Sequence, residues 1–186
     1  MEKEVLNKIY KLGKCILLML LLILIVLVVG VSKMYITNNS SESSSNESEY
    51  NTNYDVSMFK EIKASDLKNE TKGKLSVVYI GRSTCGWCSA FLPNLWDAQE
   101  KYGYTTLYID IAKIMDFENG GITDQSSYDT MIKLTGEGYE EYVEKNFGST
   151  PMILIIKDNK IVGAQTGYSE YDEFEKLLNN SGIKKN

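Results

Sequence analysis

A change of hydrophobic period near residue 81 sets the terms for the whole chain. Leu75-Ser76-Val77-Val78-Tyr79-Ile80 is β-branched and apolar, as a buried strand is. From Ser89 to Lys101 the spacing predicts a helix with Phe91, Leu92, Leu95 and Trp96 on one face. Between the two lies Cys85-Gly86-Trp87-Cys88. At a helix start, the first sulfur meets unpaired backbone N–H groups and the positive end of the helix dipole, which lower its pKa and favour thiolate. One helical turn brings the second sulfur within disulfide reach of the first. This reads Cys85 as the attacking, more exposed thiol and Cys88 as the resolving thiol.

Two plainer readings compete. A CxxC pair is also half of a structural zinc site, but zinc takes about four ligands. The chain has no histidine, and its only other cysteine, Cys15, precedes an apolar N-terminal run; no metal is expected. A static disulfide is the better competitor, although so short a loop constrains little of the unfolded chain.

Twenty basic and twenty-five acidic side chains give a formal net charge of −5, and no basic cluster interleaved with aromatics appears. That argues against nucleic acid as a partner. Three cysteines are too few for a scaffold built on disulfides. The length leaves room for one domain of ordinary size.

Residues Ile16 to Val31 are uncharged and almost wholly apolar, between Lys14 and Lys33. As helix they span about 24 Å, short of the roughly 30 Å hydrocarbon core, and snorkelling lysines close the gap. Lys3, Lys8, Lys11 and Lys14 precede the run, so the positive-inside rule places the N-terminus in the cytoplasm and the rest outside. A cleaved signal is the alternative, since Gly30-Val31-Ser32 offers a small-residue site; an uncleaved anchor is preferred. Cys15 reads as an apolar residue at the cytoplasmic interface, with acylation the other option. The expected parts are a cytoplasmic N-terminus (1–15), a transmembrane anchor (16–36), a flexible Ser/Asn/Glu-rich linker (37–54) and a folded domain (55–186).

In the domain, Met58–Ile62 reads as an edge-like strand and Ala64–Lys72 as a short helix. Pro93 should kink the dithiol helix. Thr105–Asp110 is a strand, and Ile111–Gly121 ends in a loop signal, Asn119-Gly120-Gly121. Ser126–Leu134 and Glu137–Phe147 have helical spacing. Met152–Ile156 and Lys160–Ala164 form a hairpin around Asp158-Asn159, and Tyr171–Leu178 closes the chain as a helix with Phe174, Leu177 and Leu178 inward. The order β-α-β-α-β-(α)-β-β-α describes an α/β fold, a mixed sheet with helices on both faces.

With these landmarks in place, the chain resembles the thioredoxin superfamily over roughly Phe59 to Asn180. The dithiol follows the central strand, and Pro93 stands five residues after Cys88, where thioredoxins carry a kinking proline. Asp110 ends a strand, Thr150-Pro151 precedes Met152–Ile156, and Gly167 follows the hairpin. The resemblance implies a thioredoxin-like fold with a helical insertion, preceded here by one N-terminal transmembrane helix. It implies that Pro151 is cis and packs beside the dithiol, so that backbone groups near Thr150 are placed to pair with an extended substrate.

The chain departs from the family in four ways. Tyr79 stands where thioredoxins have a buried carboxylate, so proton transfer at Cys88 lacks its usual acid. Thr84 replaces the usual Trp before the first cysteine. Trp87 replaces proline before the second, as a capping aromatic or a substrate contact. Forty positions separate Asp110 from Thr150, more than thioredoxin uses, and the excess is a covering helix or a substrate platform. Within the superfamily, membrane-tethered bacteriocin transport accessory proteins look most similar.

The function implied is a membrane-anchored, extracytoplasmic thiol–disulfide oxidoreductase acting on protein disulfides, with a redox partner protein and no cofactor. Its potential is expected between roughly −270 mV and roughly −120 mV, nearer the former, which favours reductase or isomerase. The alternative is a transport-accessory or adaptor module that keeps the fold without turnover.

Overall fold

The computed structural model describes residues 54–185. The expected cytoplasmic N-terminus (1–15), the expected anchor (16–36) and the expected linker up to residue 53 lie outside the described residues. Among the described residues, no helix is long and apolar enough to cross a membrane.

Strand β1 (Lys60–Glu61) leads through a 3-10 turn, Ala64–Asp66, into the one-turn helix α1 (Leu67–Glu70). Then come β2 (Leu75–Gly81), α2 (Gly86–Tyr102) and β3 (Leu107–Asp110). A second 3-10 turn, Ile111–Lys113, opens a segment holding β4 (Met115–Asp116), β5 (Gly121–Ile122), α3 (Gln125–Ile132) and α4 (Tyr142–Lys145). The chain closes with β6 (Met152–Lys157), β7 (Lys160–Thr166) and α5 (Tyr171–Asn180). Five strands form one mixed sheet in the order β1-β3-β2-β6-β7. The pairs β1–β3 and β2–β3 are parallel, and β2–β6 and β6–β7 antiparallel.

The strand alternation builds two cores. In β2, Val77 and Tyr79 face a layer closed by Phe91, Leu92 and Leu95 of α2 and by Phe174 and Leu178 of α5. Val78 and Ile80 face the other layer, with Leu67 of α1, Met131 of α3 and Val143 of α4. Covered on both faces, β2 needs a continuous apolar run rather than an alternating one, which is what Val77-Val78-Tyr79-Ile80 supplies. Glu175 accepts hydrogen bonds from Lys101 at 2.7 Å and Tyr102 at 3.0 Å, tying α5 to the end of α2. The β6–β7 turn places Asp158 and Asn159 at φ 49 and 63, the left-handed pair a two-residue hairpin requires.

The region between β3 and β6 differs from the expected pair of helices. Glu137–Phe147 is helical only over Tyr142–Lys145, because Gly138 and Glu141 sit at φ 79 and 60, which no α-helix continues through. The mixed stretch Ile111–Gly121, for which the sequence gives only the loop signal Asn119-Gly120-Gly121, holds β4 and the start of β5, with Met115 opposite Ile122 and Asp116 opposite Gly121. The Asp116 carboxylate shapes its turn by accepting from the backbone N–H groups of Glu118 and Asn119, at 2.9 and 3.1 Å. Nor is this region a peripheral cover: Met131 and Val143 are fully buried in the second core. Thr105 and Thr106 fall outside β3, whose first residue is Leu107.

Candidate functional site

The dithiol sits where β2 hands over to α2. Residues 82–84 make the turn, closed by the Cys85 N–H donating to the Arg82 carbonyl at 3.2 Å. Cys85 is the N-cap of α2, in extended conformation, and its Sγ accepts from the Cys88 N–H at 3.1 Å. The first sulfur thus sits on the positive end of a 17-residue helix. Cys85 and Cys88 are joined as a disulfide with Cα atoms 5.1 Å apart. Cys85 is 7% exposed and Cys88 fully buried, so an incoming group reaches Cys85 first.

Antiparallel pairing of Ile80 with Met152 carries the start of β6 to the same end of the sheet. The Thr150–Pro151 peptide bond there is cis. The Thr150 carbonyl oxygen lies 3.5 Å from Cys85 Sγ, and the Pro151 carbonyl accepts from the Gly167 N–H at 2.8 Å. Of the five residues singled out in the sequence, Cys85 therefore meets both Cys88 and Thr150, and Pro151, next to Thr150, is buried. Trp87 points outward, 63% exposed, with its ring 5.7 Å from that of Tyr168.

Beneath the site stands a set of phenols rather than a carboxylate. Tyr79, fully buried, shares a 3.1 Å hydrogen bond with the Tyr54 hydroxyl, which donates to Tyr108 at 3.0 Å. The rings of Tyr79 and Tyr108 stack at 5.5 Å. Burial raises the pKa of all three above the ordinary phenol value, so they are neutral hydrogen-bonding groups and not bases. Gly81 is required beside them: a Cβ there would collide with the Tyr79 ring tip and the Tyr54 hydroxyl. Tyr54, placed in the linker by sequence reading, packs against the first core.

Sequence reading also missed the neighbours that the β4–β5 hairpin brings. The Arg82 guanidinium stacks on the Phe117 ring, 4.3 Å from its centroid, and bonds the Thr84 hydroxyl. Met115 Sδ lies 3.0 Å from where a Cβ on Gly148 would stand, two residues before Thr150. No local signal marks the two contacts the hairpin makes, since Arg82–Phe117 and Met115–Gly148 each join residues more than thirty positions apart.

Among the described residues, no group of three or more His, Cys, Asp or Glu side chains is arranged to hold a metal ion. A cavity of about 650 Å³ is lined by Lys63, Asp110, Lys113 and Asp124 among others, and by none of the residues around the dithiol.

No family model and no curated protein matches the chain. Among solved structures, thioredoxin f2 of Chlamydomonas reinhardtii is similar to 68% of this chain over 99% of its own length, with 14% identity and a TM-score of 0.47. The class of fold is read from this chain's own topology. A five-stranded mixed sheet, a disulfide at the helix start after its central strand, and a cis-proline just before β6 are the landmarks of a thioredoxin-like arrangement with a redox-capable cysteine pair.

Proposed function

We propose that the chain is a membrane-anchored thiol–disulfide oxidoreductase of the extracytoplasmic space, working on protein disulfides as reductase or isomerase. The observation that carries the chemistry is Cys85 Sγ at the α2 N-terminus, accepting an N–H hydrogen bond beside the Thr150 carbonyl. In the reduced protein the Cys85 thiolate attacks one sulfur of a substrate disulfide. A Cys85–substrate bond forms, the substrate S–S bond breaks, and one substrate thiolate leaves. Cys88 then attacks Cys85 Sγ, releasing the second substrate thiolate and closing the Cys85–Cys88 disulfide. The substrate gains two electrons and the dithiol loses two, which a thiol-bearing redox partner protein restores. The two sulfurs carry the whole exchange, so the reading calls for no metal, flavin or nucleotide.

The backbone of Thr150, held beside Cys85 by the buried Pro151, is offered to an extended substrate strand, and Trp87 with Tyr168 offers an aromatic contact next to Cys85. The Gly86-Trp87 spacer adds no positive charge, the phenols below are neutral, and the Arg82 guanidinium is engaged by Phe117 and Thr84; with the helix N-terminus as the main thiolate stabiliser, this supports a potential nearer the reducing end. The membrane part of the proposal rests on the apolar run 16–31 and the four lysines before it. The narrower resemblance to bacteriocin transport accessory proteins fits a tethered dithiol.

The full-length protein should accelerate the dithiol-dependent reduction of insulin, and Cys85→Ser should abolish it; activity retained in Cys85→Ser would reject the mechanism. A membrane-impermeant thiol reagent on intact, reduced cells carrying the Cys15→Ser variant should label Cys85. Labelling seen only after lysis, with a denatured control showing the thiol to be reactive, would reverse the topology.

A further inference from the structure

The β4–β5 hairpin reaches the dithiol loop from thirty-five positions further along the chain, Phe117 meeting Arg82. Arg82 lies three residues before Cys85, and its carbonyl accepts the Cys85 N–H. Its guanidinium is held from two sides, by the Phe117 ring and by the Thr84 hydroxyl. Yet Arg82 belongs to none of the ion pairs formed among the described residues. Its Nε is buried without a hydrogen-bond partner. The Asp116 carboxylate, one residue from Phe117, is turned into the hairpin, where the N–H groups of Glu118 and Asn119 and the Asn119 amide satisfy it. A cation fixed in place with no internal counterion, beside an aromatic ring 37% exposed, is the kind of feature that anchors a partner.

We propose that Arg82 and Phe117 form a docking edge for an acidic polypeptide segment, so that the dithiol selects disulfides flanked by Asp or Glu. The proposal rests on the thiol–disulfide reading and names its substrate class. A planar guanidinium already oriented by stacking loses little freedom when it pairs with a carboxylate in the bidentate manner. Phe117 supplies apolar contact and holds the charge in position, acting through Arg82. The hairpin also touches the loop that carries Pro151, through Met115 against Gly148, so the edge is built onto both loops of the site. The net charge of −5 leaves no global attraction for an acidic partner, and the preference is local to this edge.

Docking and exchange are measured separately on the full-length protein. Two linear peptides of equal length, one with Glu and one with Gln on either side of a serine in place of cysteine, are titrated against the oxidised form by tryptophan fluorescence. The same pair with disulfide-bonded cysteine is then used for exchange with the reduced form. An exposed ion pair is worth enough to give the Glu peptide a preference of up to about five-fold, shrinking as salt is raised. Arg82→Gln should bring the ratio near one, Arg82→Glu should reverse it toward a Lys-flanked peptide, and Phe117→Ala should reduce it. Thermal unfolding establishes that each variant is folded. Equal binding of the two peptides by the unaltered protein, or a ratio that survives Arg82→Gln, overturns the docking edge. Selective binding without exchange leaves docking standing and instead rejects the oxidoreductase reading.

Discussion

Replacing Tyr54 by Phe removes one oxygen and tests both the foot of the site and the start of the domain. The Tyr54 hydroxyl is the hub of the phenol set, bonded to Tyr79 at 3.1 Å and Tyr108 at 3.0 Å. Neither of those hydroxyls has another hydrogen-bond partner among the described residues, and their side chains are 0% and 3% exposed. Leaving a buried hydroxyl unsatisfied costs about 1–3 kcal/mol. Tyr54 itself is half-buried and its loss admits some water, so the low end applies, about 2 kcal/mol for the pair. The triple change Tyr54→Phe, Tyr79→Phe, Tyr108→Phe removes every partner together and should cost less than the single one, because no orphan remains. Urea unfolding of the full-length protein, followed by tryptophan fluorescence, gives both values. A Tyr54→Phe penalty below about 0.5 kcal/mol, or a triple variant that is simply additive, would show the hydroxyls to be hydrated and the hub reading wrong.

Met131→Ala should destabilise by about 2–5 kcal/mol, as for a fully buried core methionine; a change within about 0.5 kcal/mol, the range of surface substitutions, would return the β3–β6 segment to a peripheral role. Glu175 has its pKa lowered to about 2 by hydrogen bonds from Lys101, Lys185 and Tyr102. A depressed carboxylate contributes stability that is fully present above its unfolded pKa of about 4.3 and lost as pH falls through its folded pKa. Denaturant unfolding should therefore show a fall in stability between pH 4.5 and 2 that is reduced in Glu175→Gln, and an unaltered acid limb would contradict the assignment.

What the sequence disclosed and what it withheld follow from the range of the interactions. The β2 strand, the α2 helix and the β6–β7 turn are written locally, in a continuous apolar run, a 3.6-residue stripe and an Asp-Asn pair. Cys85, Cys88, Thr150 and Pro151 were legible because a short motif marks each of them. Two-residue strands such as β4 and β5 are too short to show alternation, so their hairpin was read as loop. Glu137–Phe147 has helical spacing, but the left-handed backbone of Gly138 and Glu141 overrides it. Tyr54 looked like linker because its neighbours are polar; its partners lie 25 and 54 positions away. The pairing of Arg82 with Phe117 is equally invisible without the fold.

The central claim is that Cys85 attacks and Cys88 resolves, and trapping tests it most directly. Full-length Cys88→Ser, reduced and then exposed to a disulfide-containing protein, should accumulate a mixed disulfide through Cys85 that is stable to alkylation and released by reductant. In a Cys15→Ser background, which removes the one other thiol, Cys85→Ser should accumulate none, because Cys88 is fully buried. Equal trapping by both variants, or trapping by Cys85→Ser alone, would contradict the assignment of the two thiols.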